Sequence, residues 1–165
     1  MLTPSLLVFG QLMLATVLGM LIGTERVAAG KRAGTRTFAL VAMGACLFVI
    51  TGKEVSDAYL GILNFDPMRI AAAVVQGVGF LGAGLIFVRD NTLNGLTTAA
   101  GLWVAAGVGI AAGFELYAIA CFATFLTLFV FTVVWRVEDF LKHFFDSHEV
   151  ATHGPHSHQR DQGIE

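Results

Sequence analysis

The chain has 165 residues, 56% of them hydrophobic and only 13% charged, with a mean hydropathy of +0.74, which excludes an ordinary water-soluble domain and places one domain in lipid. The formal net charge of -2 comes with no basic run, so nothing suggests a nucleic-acid partner. The first twenty-four residues hold no Lys or Arg. The charged start of a cleavable signal peptide is therefore missing, and the first hydrophobic segment is expected to remain as a helix.

Residues 6–23 read as the first span, with Gln11 its only strongly polar side chain and Gly10, Ala15, Gly19 and Gly23 available for close helix contact. The span is expected to end at Thr24-Glu25-Arg26. After a basic loop over residues 27–36, the second span, residues 37–51, is about 23 Å long as a helix, so Arg36 and Lys53 would have to snorkel or the bilayer thin. A more polar loop, residues 52–67, closes on Asp66-Pro67, a natural helix start with Asp as N-cap and Pro at the first helical position. Residues 70–88 are then nineteen residues without a charge, about 28 Å as a helix. A polar turn, Arg89-Asp90-Asn91-Thr92-Leu93-Asn94-Gly95, separates them from a second glycine-rich span, residues 96–112. The fifth span, residues 116–135, is rich in Phe and bounded by Tyr117 and Trp135, suited to the lipid-water interface. The expected fold is all-α, a polytopic transmembrane bundle of about five spans around a glycine-rich central hairpin. Residues 1–141 form the membrane domain. Residues 142–165, with His143, His148, His153, His156 and His158, read as a disordered solvated tail, with weak metal binding as the lesser reading.

The central hairpin carries Gly77, Gly79, Gly82 and Gly84 on one side and Gly101, Ala105, Gly109 and Gly113 on the other, the latter set recurring every four residues. Residues four apart drift only about 40° around a helix, so that set forms one slanted band that can admit a partner backbone. Gly77-Val78-Gly79-Phe80-Leu81-Gly82 spells a dinucleotide-binding turn, but it lies inside an apolar run, and Leu102 stands where the ribose-binding acid would be. A weak repeat at an offset of sixty-one pairs Gly23 with Gly84, Gly34 with Gly95, Thr37 with Thr98 and Ala39 with Ala100, and predicts two parallel halves.

Gly77 to Gly84, followed by Gly95-Leu96-Thr97-Thr98-Ala99-Ala100 and Trp103, resembles the signature of the MgtC/SapB family of bacterial inner-membrane proteins. The resemblance extends to Gly19 through Arg26, to Gly34-Thr35-Arg36-Thr37 and to Asp66 with Arg69, covering roughly residues 10–115. Gly101 departs from the Ser expected there, and the chain has a short tail where larger members carry a cytoplasmic domain. The resemblance implies a role in magnesium homeostasis or transport and in growth at low magnesium. It equally permits a small regulator that binds another membrane protein, such as the ATP synthase, during stress or virulence.

Ionisable groups at membrane boundaries are the functional candidates, because a charge near lipid needs a partner or water. Glu25, Arg26, Arg36, Asp66, Arg69, Asp90 and Asn94 qualify by position, and Gln76 by its depth in a span. Glu25 and Asp66 are the candidate magnesium ligands, since that ion takes oxygen donors and needs only one or two carboxylates. Pairing of Glu25 with Arg36, helix capping by Asp66 and an interhelical hydrogen bond from Gln76 are the structural alternatives. No catalytic constellation is present, so an enzyme is not expected, and no cofactor beyond magnesium. The partners expected are the bilayer and a homo-oligomer or another membrane protein. Eight cations against two place the N-terminus outside the inner membrane and the C-terminus in the cytoplasm.

Overall fold

The computed structural model describes residues 4–58, 66–89 and 91–137. The chain divides into two compact units, Met1–Phe129 and Val130–Glu165. The first holds α1 (Pro4–Ala28), α2 (Thr35–Ala58), α3 (Pro67–Ala83), a hairpin of β1 (Phe87–Arg89) and β2 (Thr92–Asn94), α4 (Leu96–Gly113) and α5 (Tyr117–Phe129). The described part of the second is helical and opens with a π-helical turn, Val130–Val134. Four helical stretches are long and apolar enough to cross a membrane: Ser5–Ala28, Thr35–Ser56, Leu96–Gly113 and Tyr117–Val137. The apolar part of α3, Met68–Ala83, is shorter. The histidine-containing tail lies outside the described residues.

Three expected boundaries move. α1 does not stop at Thr24-Glu25-Arg26 but runs to Ala28, so both charges sit in its last turns. Its end is set by Gly30 in the left-handed region (φ 68°), where the Lys31 N–H reaches Arg26 O (2.9 Å) and the Gly30 N–H reaches Val27 O (2.9 Å), satisfying two carbonyls the helix leaves free. α2 begins earlier and ends later than residues 37–51, which gives it 24 residues and removes the need for bilayer thinning.

The largest correction is at residues 70–88. α3 has 17 residues and stops at Ala83, after which tight bonds from Leu85 N to Gly82 O (3.0 Å) and Ile86 N to Ala83 O (3.2 Å) turn the chain into the strands. Phe87 pairs with Asn94, Val88 with Leu93 and Arg89 with Thr92, so most of the supposed polar turn is an antiparallel hairpin. Asn91 (φ 57°) supplies a left-handed residue at the tip, and Gly95 (φ 91°) closes the base. A Cβ on Gly95 would overlap Leu85 O and lie 2.9 Å from Leu85 C. An uncharged run cannot by itself distinguish a helix from a helix followed by a strand.

Packing follows the small residues. α1 and α2 are antiparallel and touch closely: a Cβ on Gly19 would lie 2.6 Å from Phe38 O, and one on Gly23 2.6 Å from Thr35 Cα. α4 runs parallel to α2, with the would-be Cβ of Gly109 overlapping Ala42 O and that of Gly113 2.7 Å from Val49 Cβ. Gly101 and Ala105 are buried along the same helix. Phe38, Ile22, Leu102, Val49, Val108 and Cys46 fill the interior. α2 and α4 begin sixty-one positions apart, at Thr35 and Leu96, and share a first-turn bond, Phe38 N to Gly34 O (3.2 Å) and Ala99 N to Gly95 O (2.9 Å). The offset seen in the sequence thus recurs as two parallel helices with matching starts, reached through a loop in one case and the β-hairpin in the other.

Candidate functional site

The helix directions gather the polar groups at two opposite ends of the first unit. At one end lie the C-terminus of α1, the N-termini of α2 and α4, and the β-hairpin. The C-terminus of α2, the start of α3 and the link between α4 and α5 lie at the other.

The first end is built around Arg26, which is 3% exposed. Placing a guanidinium there requires a compensating charge, and Glu25 supplies it as an ion pair, with Arg26 Nε donating to Glu25 Oε2 at 2.5 Å. The neighbouring close approach of Gly23 to Thr35 brings the Thr24 and Thr35 hydroxyls within 3.3 Å of each other, while Thr24 also donates to Met20 O (2.8 Å). Thr98 is buried in the first turn of α4. Arg32 lies 4.9 Å over the Phe87 ring and joins the α1–α2 connection to the hairpin. Arg36 is exposed in the first turn of α2, and Asn94 donates to Thr92 O and Thr92 Oγ1, both at 3.2 Å. Glu25 is therefore committed to Arg26, its sequence neighbour, instead of Arg36. Asp90 lies outside the described residues.

At the opposite end Asp66 caps α3, its carboxylate accepting the Met68 N–H at 2.9 Å, with Pro67 at the first helical position and Arg69 exposed two residues later. Lys53 and Glu115 form an ion pair at 2.6 Å between the end of α2 and the α4–α5 link. Glu115 occupies the left-handed region (φ 66°) and ends α4 as Gly30 ends α1, through Leu116 N to Ala111 O (2.9 Å). Lys53 was expected only to snorkel, and its pairing was missed. The available signal was that Lys53 and Arg69 are the two cations among the described residues of this end, beside the carboxylates Glu54, Asp66 and Glu115.

Glu25 and Asp66 do not share a site, because the length of α3, about 25 Å for its 17 residues, lies between the two ends. Among the described residues no three of His, Cys, Asp and Glu come together as metal ligands. Gln76 is exposed on α3, as is Gly79; Gly77 and Gly79 have nothing within 4 Å of a would-be Cβ, and Gly82 faces Ala99 (3.8 Å). Gly84 caps α3. Between α2 and α3 runs an apolar groove of about 800 Å³ lined by Leu40, Gly44, Phe48, Val74, Gly77 and Leu81.

The model of the MgtC family matches residues 12–140. The chain belongs to the MgtC family. Among similar proteins, the "Putative magnesium transporter YhiD" of Escherichia coli K12 is 44% identical over 125 residues, covering 74% of this chain and 58% of that protein. "Protein MgtC" of Salmonella typhimurium is 45% identical over 89 residues, covering 54% of this chain and 36% of that protein. "Protein MgtC" of Brucella abortus is 46% identical over 86 residues, covering 52% and 34%. The chain thus spans less than two thirds of the length of each of these relatives. No solved structure is significantly similar to it. Within this MgtC-family chain the match takes in α1 from its third turn, both polar ends and the glycine-rich hairpin.

Proposed function

We propose that the protein serves magnesium homeostasis in the bacterial inner membrane, with the Glu25–Arg26 end facing the cytoplasm. The similarity to a relative named for magnesium transport supports the role. The observation that supports a role for this end is the buried Arg26 paired with Glu25. A buried charge pair at a membrane boundary is costly to maintain, and its retention there favours function over packing. The orientation follows from Arg26, Lys31, Arg32, Arg36 and Arg89 at one end against Lys53 and Arg69 at the other. Lys31→Cys should then resist an impermeant thiol reagent added to intact spheroplasts; labelling from outside would reverse the orientation.

Glu25→Gln and Asp66→Asn test the role itself. Each removes a charge but keeps hydrogen-bonding capacity, and Asn caps a helix as well as Asp does, so both variants should insert normally. Loss of complementation in low-magnesium medium is the expected outcome, and full growth by both variants would retire these residues. Magnesium flux into liposomes carrying the purified protein separates transport from regulation. A regulatory reading is favoured by the apolar groove between α2 and α3, which suits a helix better than a hydrated ion.

A further inference from the structure

α4 begins with its donors unmet. Gly95 offers no side chain as a cap, and no acid stands in the first turn. The first backbone bond of the helix runs from Ala99 N to Gly95 O (2.9 Å), so among the described residues the N–H groups of Leu96, Thr97 and Thr98 have no acceptor. In the same turn Thr98 is only 5% exposed, and among the described residues nothing hydrogen-bonds its hydroxyl. Thr16, Thr24, Thr124 and Thr127 each donate to the carbonyl four residues back. For Thr98 that residue is Asn94, which belongs to β2 and lies outside the helix. The hydroxyl is not sealed in, because among the described residues no unbonded side-chain oxygen or nitrogen is out of reach of water. Its Cα–Cβ bond leans toward the helix N-terminus, which sets the hydroxyl on the side of the free N–H groups. A cation stands beside them: Arg32 lies over Phe87, Phe87 pairs with Asn94, and Asn94 immediately precedes Gly95.

We propose that the start of α4 binds a phosphate group, held by the N–H groups of Leu96, Thr97 and Thr98, the Thr98 hydroxyl and the Arg32 guanidinium. The helix dipole adds partial positive charge at that point, so the site favours an anion even before a side chain contributes. Apart from the hydroxyl, every group there only donates, which repels a metal cation and calls for a ligand rich in acceptors. A phosphate meets this with several oxygens on one small centre. Stacking on Phe87 engages the face of the Arg32 guanidinium and leaves its N–H edge available. Leu96 and Thr97 are exposed, so the site opens to the surface, where a soluble phosphate compound and the headgroup of phosphatidic acid have equal access.

The test uses the full chain in phosphatidylcholine nanodiscs, titrated with radiolabelled inorganic phosphate, and in parallel nanodiscs that also contain phosphatidic acid, whose retention is read by native mass spectrometry. Saturable phosphate binding that phosphatidic acid does not displace identifies a soluble ligand, and retention of phosphatidic acid identifies the headgroup. Whichever ligand binds, Thr98→Val keeps the shape of the side chain, removes the hydroxyl and should weaken binding about tenfold, the scale of one hydrogen bond to a charged group. Thr98→Ser should restore it. Arg32→Gln, at an exposed position that does not threaten folding, should weaken binding as well, while Lys53→Gln at the opposite end should leave it unchanged. Failure of both ligands to bind, undiminished binding by Thr98→Val, a Thr98→Ser protein as weak as Thr98→Val, or an equal loss in Lys53→Gln would each overturn the site.

Discussion

α2 meets α4 and α3 along faces that both carry glycine, yet the first contact is closed and the second open. At Gly109 the space a side chain would take is filled by the backbone of Ala42, with Ala45 Cβ 2.9 Å from the would-be Cβ. At Gly44 and Gly77 nothing lies within 4 Å, and the two helices part around the groove. Glycine in a membrane helix therefore grants the capacity for close approach without naming the partner that uses it. On α4 that partner is in the same chain, and on α3 the capacity is left over.

Breaking the closed contact should have the largest effect. Gly109→Leu places a branched side chain against backbone that cannot yield, and a loss of at least about 3 kcal/mol, read as a collapse of thermal stability in detergent, is expected. Asp66→Ala probes the start of α3 and should cost about 1 kcal/mol, the typical value of a lost N-cap, with the α2–α4 contact intact by disulfide trapping. The smallest effect belongs to the open side: Gly77→Leu projects into the groove and should change stability by no more than about 0.5 kcal/mol. A Gly77→Leu loss as large as that of Gly109→Leu would mean that the groove is filled in the native protein and that the contrast does not exist.

Much of this fold was legible before the structure. Span positions followed from apolar length, the start of α3 from Asp66-Pro67, and the face of α4 from the four-residue recurrence of Gly101, Ala105, Gly109 and Gly113. The end of α3 was not legible, because Ile86, Phe87 and Val88 are as apolar as the helix before them and the change to strand is enforced by pairing with Thr92, Leu93 and Asn94. Glu25 and Arg26 read as the end of the first span because they are its first charges, whereas the stop signal, Gly30, lies further on. The candidate site was legible by residue type but not by grouping. Charge and membrane position selected Glu25 and Asp66, and span order already set them at opposite edges; what escaped was the pairing of Glu25 with Arg26 and of Lys53 with Glu115. Nothing in the spacing of Gln76 revealed that it faces outward, since α3 has small residues on more than one side.

The parallel course of α2 and α4 has a consequence for how the protein is made. Between Ala42 and Gly109 the ribosome must add the rest of α2, all of α3 and most of α4, which at ~5–20 residues per second takes roughly 3–13 s. Throughout that interval the α1–α2 pair is in the bilayer with Ala42, Ala45, Cys46 and Val49 still waiting for α4. Those four residues are apolar and helix-compatible, so lipid can cover them at little cost. The glycines that would weaken a solitary helix, Gly101, Gly109 and Gly113, sit on α4, the later-made of the two helices, and they enter the membrane when the α2 surface that shields them is already in place.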